Sequence, residues 1–120
     1  MARNIIAIVD DLFFASKIRG TAEQVGVSVN FPRTLESAID QAATNQPSLI
    51  ICDLNSQRID PIELAQKMKA NDQTKQIELL AFFSHVQTEL QDAAERAGFD
   101  RVIPRSAFAK SLSQILMGTE

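Results

Sequence analysis

The sequence predicts a doubly wound α/β sandwich, a parallel sheet covered by helices on both faces, and two observations predict it. Five short apolar runs rich in β-branched residues recur along the chain, most of them apolar at nearly every position, which is the habit of strands buried on both faces. Between those runs the apolar spacing changes to the helical repeat of three to four residues.

The first strand is read at Ile5 to Val9. Phe14, Ile18, Ala22 and Val25 then fall on one helical stripe, which Gly26 can close in the left-handed conformation that ends a helix. Val27 to Phe31 alternates, with Ser28 and Asn30 between apolar residues, and reads as an edge strand. Thr34 serves as N-cap of a second helix whose inner face is Leu35, Ala38, Ile39 and Ala42. Leu49 to Cys52 is the third strand. Asp60 as N-cap, Pro61 at the first helical position and Glu63 in the first turn open a third helix, with Ile62, Ala65 and Met68 inward. Ile77 to Phe83 is the fourth strand, and Thr88 with Gln91, at capping-box spacing, opens a helix that stops before Gly98. Arg101 to Ile103 is the fifth strand, followed by a helix from Ser106 that buries Phe108, Leu112, Ile115 and Leu116.

Strict alternation of five strands with five helices, joined by right-handed crossovers, favours the flavodoxin-like order 2-1-3-4-5 in a three-layer α/β/α sandwich. With 120 residues, 45% of them hydrophobic, the chain has material for one core, so residues 1–120 are read as a single domain with no output domain. A net charge of −3 argues against direct nucleic-acid binding. The only cysteine, Cys52, can form neither an internal disulfide nor a cysteine-rich zinc site. No apolar run approaches the roughly 18 residues of a membrane span, and Asp10 and Asp11 interrupt the first run too early for a secretory leader; a cytoplasmic protein without membrane contact is expected.

In sheets of this kind the binding crevice lies beyond the carboxyl ends of the strands, where the strand order reverses. Asp10 and Asp11 end the first strand and Asp53 ends the third, which predicts an acidic pocket. Two carboxylates about 4 Å apart repel by on the order of 4 kcal/mol at an effective dielectric near 20, a cost that protonation, a basic neighbour or a cation relieves. Hard oxygen ligands with room for water suit Mg²⁺. For either Asp10 or Asp11 alone, capping of the first helix is the simpler reading. Ser84 after the fourth strand and Arg105 after the fifth bring a hydroxyl and a guanidinium to the same rim, a pair suited to a phosphoryl group.

These residues, with Ile-Val-Asp-Asp, Ile-Ile-Cys-Asp-Leu-Asn and Phe-Phe-Ser at successive strand ends, resemble the receiver domain of two-component response regulators, and the resemblance covers the whole chain. It implies that Asp53 accepts a phosphoryl group from a histidine kinase or a histidine phosphotransfer protein. It also implies that Asp10, Asp11, Asp53 and the Asn55 backbone carbonyl hold Mg²⁺, and that Ser84 is the switch hydroxyl and Arg105 the phosphoryl contact. A downstream protein target would receive the signal by contact, and the chain would not be an enzyme.

Several positions depart from that family's usual pattern. Arg105 replaces a Lys, Ser106 a Pro, His85 a small residue and Val102 an aromatic, while Gln57 and Pro61 stand where a Pro and a Gly are usual. They support the alternative, a phosphorylation-independent pseudo-receiver acting as a protein-interaction scaffold. His85, the only histidine, is expected to face solvent and cannot build a multi-histidine metal site. An aspartyl phosphatase would need a second Asp where Asn55 stands, and Asp-Asp-Leu-Phe-Phe would repel a flavin phosphate. Phe13 and Phe14 cannot share one stripe, so Phe14 is expected inside and Phe13 near the acidic rim as a candidate docking contact.

Overall fold

The computed structural model describes residues 3–119. The elements are β1 (Asn4–Ile8), α1 (Leu12–Val25), β2 (Ser28–Asn30), α2 (Leu35–Asn45), β3 (Leu49–Asp53), α3 (Pro61–Ala70), β4 (Glu78–Phe83), α4 (Thr88–Ala97), β5 (Arg101–Pro104), α5 (Arg105–Lys110) and α6 (Leu112–Met117). The strands form one parallel sheet in the order β2-β1-β3-β4-β5, the order the alternation predicts.

The nearly continuous apolar runs are explained by two cores, one on each face of the sheet. Ile5, Ala7, Leu49, Ile51, Leu80 and Phe82 pack against α1, α5 and α6. Ile6, Ile8, Ile50, Cys52, Leu79 and Ala81 alternate with them and pack against α2, α3 and α4. Side chains of successive strand residues point to opposite faces, so a strand covered on both sides must be apolar throughout. The edge strand β2 is only half-buried, in keeping with its alternating sequence.

Local signals set most helix ends as expected. Thr34 accepts from the Ser37 amide at 3.0 Å and Asp60 from the Ile62 amide at 2.9 Å, while Gly26 ends α1 at φ 74°. Three details differ. The N-cap of α4 is Gln87, whose side chain makes no cap bond; its amide donates to Gln91 Oε1 at 3.2 Å, four residues on, so the Thr88–Gln91 capping box does not form. In α3 the inward stripe is Pro61, Leu64, Ala65 and Met68, with Ile62 half-buried at its edge. The last helix begins at Arg105 and breaks at Ser111 (φ −105°, ψ 18°), which gives six helices among the described residues instead of five. The two pieces follow different neighbours, α5 packing on β4 and β5 and α6 along α1.

A cluster of three phenylalanines joins these layers beneath the strand tips. Phe82 of β4 stacks on Phe108 of α5 at 4.8 Å between centroids, and Phe14 of α1 meets Phe82 edge-on at 5.2 Å. Offset and edge-on ring pairs add to the stabilisation from burial alone. No helix among the described residues is long and apolar enough to cross a membrane.

Phe108 is fully buried, and Phe108→Ala is expected to lower unfolding stability by about 3–5 kcal/mol in urea titration. A loss under about 1 kcal/mol would show that the ring cluster does not hold α5 to the sheet.

Candidate functional site

The site grows from the pairing of β1 with β3. Ile8 lies opposite Cys52, so Asp53, the last residue of β3, and Asp10 and Asp11, just after β1, come from neighbouring strand ends where the strand order reverses. The charges of Asp10 and Asp11 both act on Asp53. Asp53 is 9% exposed. Its burial pushes its pKa up, against the lowering influence of the Asn55 amide and the Arg105 guanidinium, and the two neighbouring acids push it up further. Desolvation and like charge both disfavour a carboxylate, and here they prevail over one hydrogen bond and one distant cation.

The two strand-one acids do different things. Asp11 is the N-cap of α1: its Oδ1 accepts from the Phe13 and Phe14 amides at 2.9 and 3.2 Å, and its Oδ2 from Arg105 Nη2 at 3.3 Å. The Phe14 amide lowers the pKa of Asp11 most; desolvation opposes it, and Arg105 and the Phe13 amide add to the lowering. Asp10 instead reaches across to the loop after β3. Its Oδ1 accepts from the Ser56 hydroxyl at 2.9 Å, and its Oδ2 from the Gln57 and Arg58 amides at 2.8 and 3.3 Å. Burial alone would raise its pKa, but these three donors outweigh that and hold it below the usual carboxylate range.

This clasp is the feature that the residue pattern did not predict. A proline at position 57 would have no N–H to give, so the bond to Asp10 depends on a residue other than proline standing there. The loop itself turns by Ser56 N–H donating to the Asp53 carbonyl at 3.0 Å and Asn55 N–H donating to Asp53 Oδ1 at 2.9 Å. Of the carboxylate oxygens on the three acids, only Asp53 Oδ2 has no hydrogen-bond partner among the described residues.

Ser84 is exposed and its hydroxyl has no partner among the described residues. It lines a shallow cleft with Phe13, Phe14, Lys17, Arg105 and Ser106. The Arg105 guanidinium sits over the Phe14 ring, 4.1 Å from its centroid, so the ring cluster of the core orients the cation at the rim. His85 is exposed, as expected, and Val102 is half-buried on β5 against the core of α2, α3 and α4. Phe13 is 90% exposed while Phe14 is buried; Leu12, at 75%, is exposed beside it. The Cys52 thiol, next to Asp53 in the chain, is fully buried and pushed far up by that burial and by the Asp53 charge, so it stays protonated and is no nucleophile.

In kind, this donor set of hard oxygens around a carboxylate destabilised by negative neighbours fits a divalent cation such as Mg²⁺. In arrangement the set is not gathered: among the described residues no three His, Cys, Asp or Glu side chains are grouped to hold a metal ion. Asp10 is turned into its clasp and Asp11 into its cap and ion pair.

The family model for the response regulator receiver domain matches residues 5–116. No curated protein matches the sequence. Among solved structures, the chain is similar to a protein described as a response regulator from Chloroflexus aurantiacus, with 19% identity, 99% of this chain and 98% of the other covered, and a TM-score of 0.84. It is also similar to a chemotaxis response regulator of Vibrio cholerae, with 16% identity, both chains covered in full and a TM-score of 0.82. A third is the phosphorylated cyanobacterial phytochrome response regulator RcpA, with 21% identity, 98% and 91% coverage and a TM-score of 0.78.

Loosening the clasp tests its competition with a cation. Ser56→Ala should cost about 1 kcal/mol of stability, and Mg²⁺ should raise its Tm by more than it raises that of the wild type. Equal rises in thermal-shift measurements would show that the clasp and the cation do not compete.

Proposed function

Because this chain belongs to the family of response regulator receiver domains, which work with histidine kinases in two-component signalling, we propose that Asp53 is its phosphoacceptor. The donor is a histidine kinase or a histidine phosphotransfer protein, and the output is a protein–protein contact with a downstream target, not catalytic turnover. The observation that carries this reading is the free Oδ2 of Asp53, the one carboxylate oxygen of the three acids without an internal hydrogen-bond partner among the described residues.

Asp53 Oδ2 attacks the phosphorus, the P–N bond to the donor imidazole breaks, and its electron pair stays with the departing ring, which takes up a proton. The acyl phosphate then carries nearly two negative charges where the carboxylate carried one. Arg105 is available to it, since its ion pair with Asp11 joins two partly exposed side chains, 36% and 40% accessible, and such pairs contribute little. The unpartnered Ser84 hydroxyl supplies a hydrogen bond to the same group. Both move toward Asp53, and the face formed by α4, β5 and α5 shifts with them. Mg²⁺ would be held by Asp10, Asp11, Asp53 and the Asn55 carbonyl; when bound, it neutralises charge between the acids and the phosphoryl oxygens.

A second reading, a phosphorylation-independent scaffold, is favoured by the three-donor clasp on Asp10, which occupies an acid that the switch would use. Incubation with an acyl phosphate and Mg²⁺, followed by intact-mass measurement, separates the two. The expected result is one added phosphoryl group on the wild type and none on Asp53→Asn. An unmodified wild type, under conditions that modify another receiver domain, would overturn the phosphoacceptor and leave the scaffold.

A further inference from the structure

Asp10, but not Asp53, lines a cavity of about 340 Å³. Arg19 of α1, Arg33 after β2 and Arg58 after β3 all line it. Among the described residues, none of these guanidiniums donates a hydrogen bond or pairs with a carboxylate at ion-pair distance. The acid in the lining is Asp10, whose two oxygens already accept three hydrogen bonds from Ser56, Gln57 and Arg58. Three cations and one committed acid therefore face one void, in a chain whose net charge is −3.

Two further properties make this a shaped cavity instead of a scatter of surface charge. The Arg19 guanidinium stacks on Phe31 at 4.6 Å from the ring centroid, which restrains it at the cavity wall. Leu12, Phe31 and Ile59 supply apolar parts of the same lining. A cavity of this size, lined by both polar and apolar groups, has the proportions of a small-ligand site. Guanidinium forks match phosphate oxygens geometrically, and three cations lining one cavity with a single carboxylate, on which the Arg58 charge already acts, leave an excess of positive charge that an anion relieves.

We propose that this cleft binds a small phosphate-bearing anion, held by Arg19, Arg33 and Arg58. The site is separate from Asp53, and its occupancy does not depend on phosphoacceptance. Titration calorimetry of the full chain with pyrophosphate and with ADP, without Mg²⁺ and at about 0.15 M salt, tests it. The two ligands distinguish a site for phosphate alone from one that also takes a nucleoside, and binding of either supports the proposal. Arg33→Gln and Arg58→Gln, both at exposed positions and the latter retaining the amide that Asp10 needs, should each weaken binding about tenfold. Lys110→Gln, which changes net charge equally but is not in the lining, should leave it unchanged. Binding of neither ligand, equal loss in Lys110→Gln, binding that survives both arginine changes, or capture of a poly-glutamate peptide with neither anion bound would overturn it.

Discussion

The parallel pairing of β1 with β3 is the constraint on which the rest depends. It fixes Ile8 opposite Cys52, and the two strands deliver their terminal acids to one place because the sheet order reverses between them. Apolar side chains on both faces of the sheet are packed into two separate cores, and a one-residue slip would exchange the side chains that fill each of them. Negative charge is thus concentrated by packing, and the chemistry at the rim follows from how that charge is accommodated.

The accommodation is unequal. Asp11 is held by the start of α1 and by Arg105, and Asp10 by the loop after β3, so both are stabilised as carboxylates. Asp53 has the burial of a strand end, a single amide donor and two acids nearby, and is the carboxylate least content with its charge. A charged group so placed gains most from anything that takes its charge, whether a proton, a cation or a phosphoryl group. The ring cluster participates because Phe14 carries Arg105 on its face. Lysine, a compact ammonium on a flexible stem, would not stack in the same way.

The sheet order was legible because strand burial writes itself into the sequence as unbroken apolar runs, and the caps at Thr34 and Asp60 because the bonds are local. The split at Ser111 was not legible: Phe108, Leu112, Ile115 and Leu116 keep helical spacing across it, and only their different neighbours reveal two short helices. For Asp11 the capping reading holds, and its second oxygen accepts from Arg105. Asp10 was beyond sequence reasoning because its donors lie 46 to 48 residues away. The one available signal was Gln57, a residue with an N–H at a place where proline is usual. Arg19, Arg33 and Arg58 are scattered along the chain and become neighbours only through the cleft they line.

The unequal treatment of the three acids is tested most directly by following their side-chain carboxyl carbons by NMR, in isotope-labelled protein without Mg²⁺, from about pH 2 to pH 8. Asp53 should titrate above the ordinary aspartate range, with Asp10 and Asp11 below it. An Asp53 that loses its proton at or below the pH where Asp10 and Asp11 lose theirs would contradict the account.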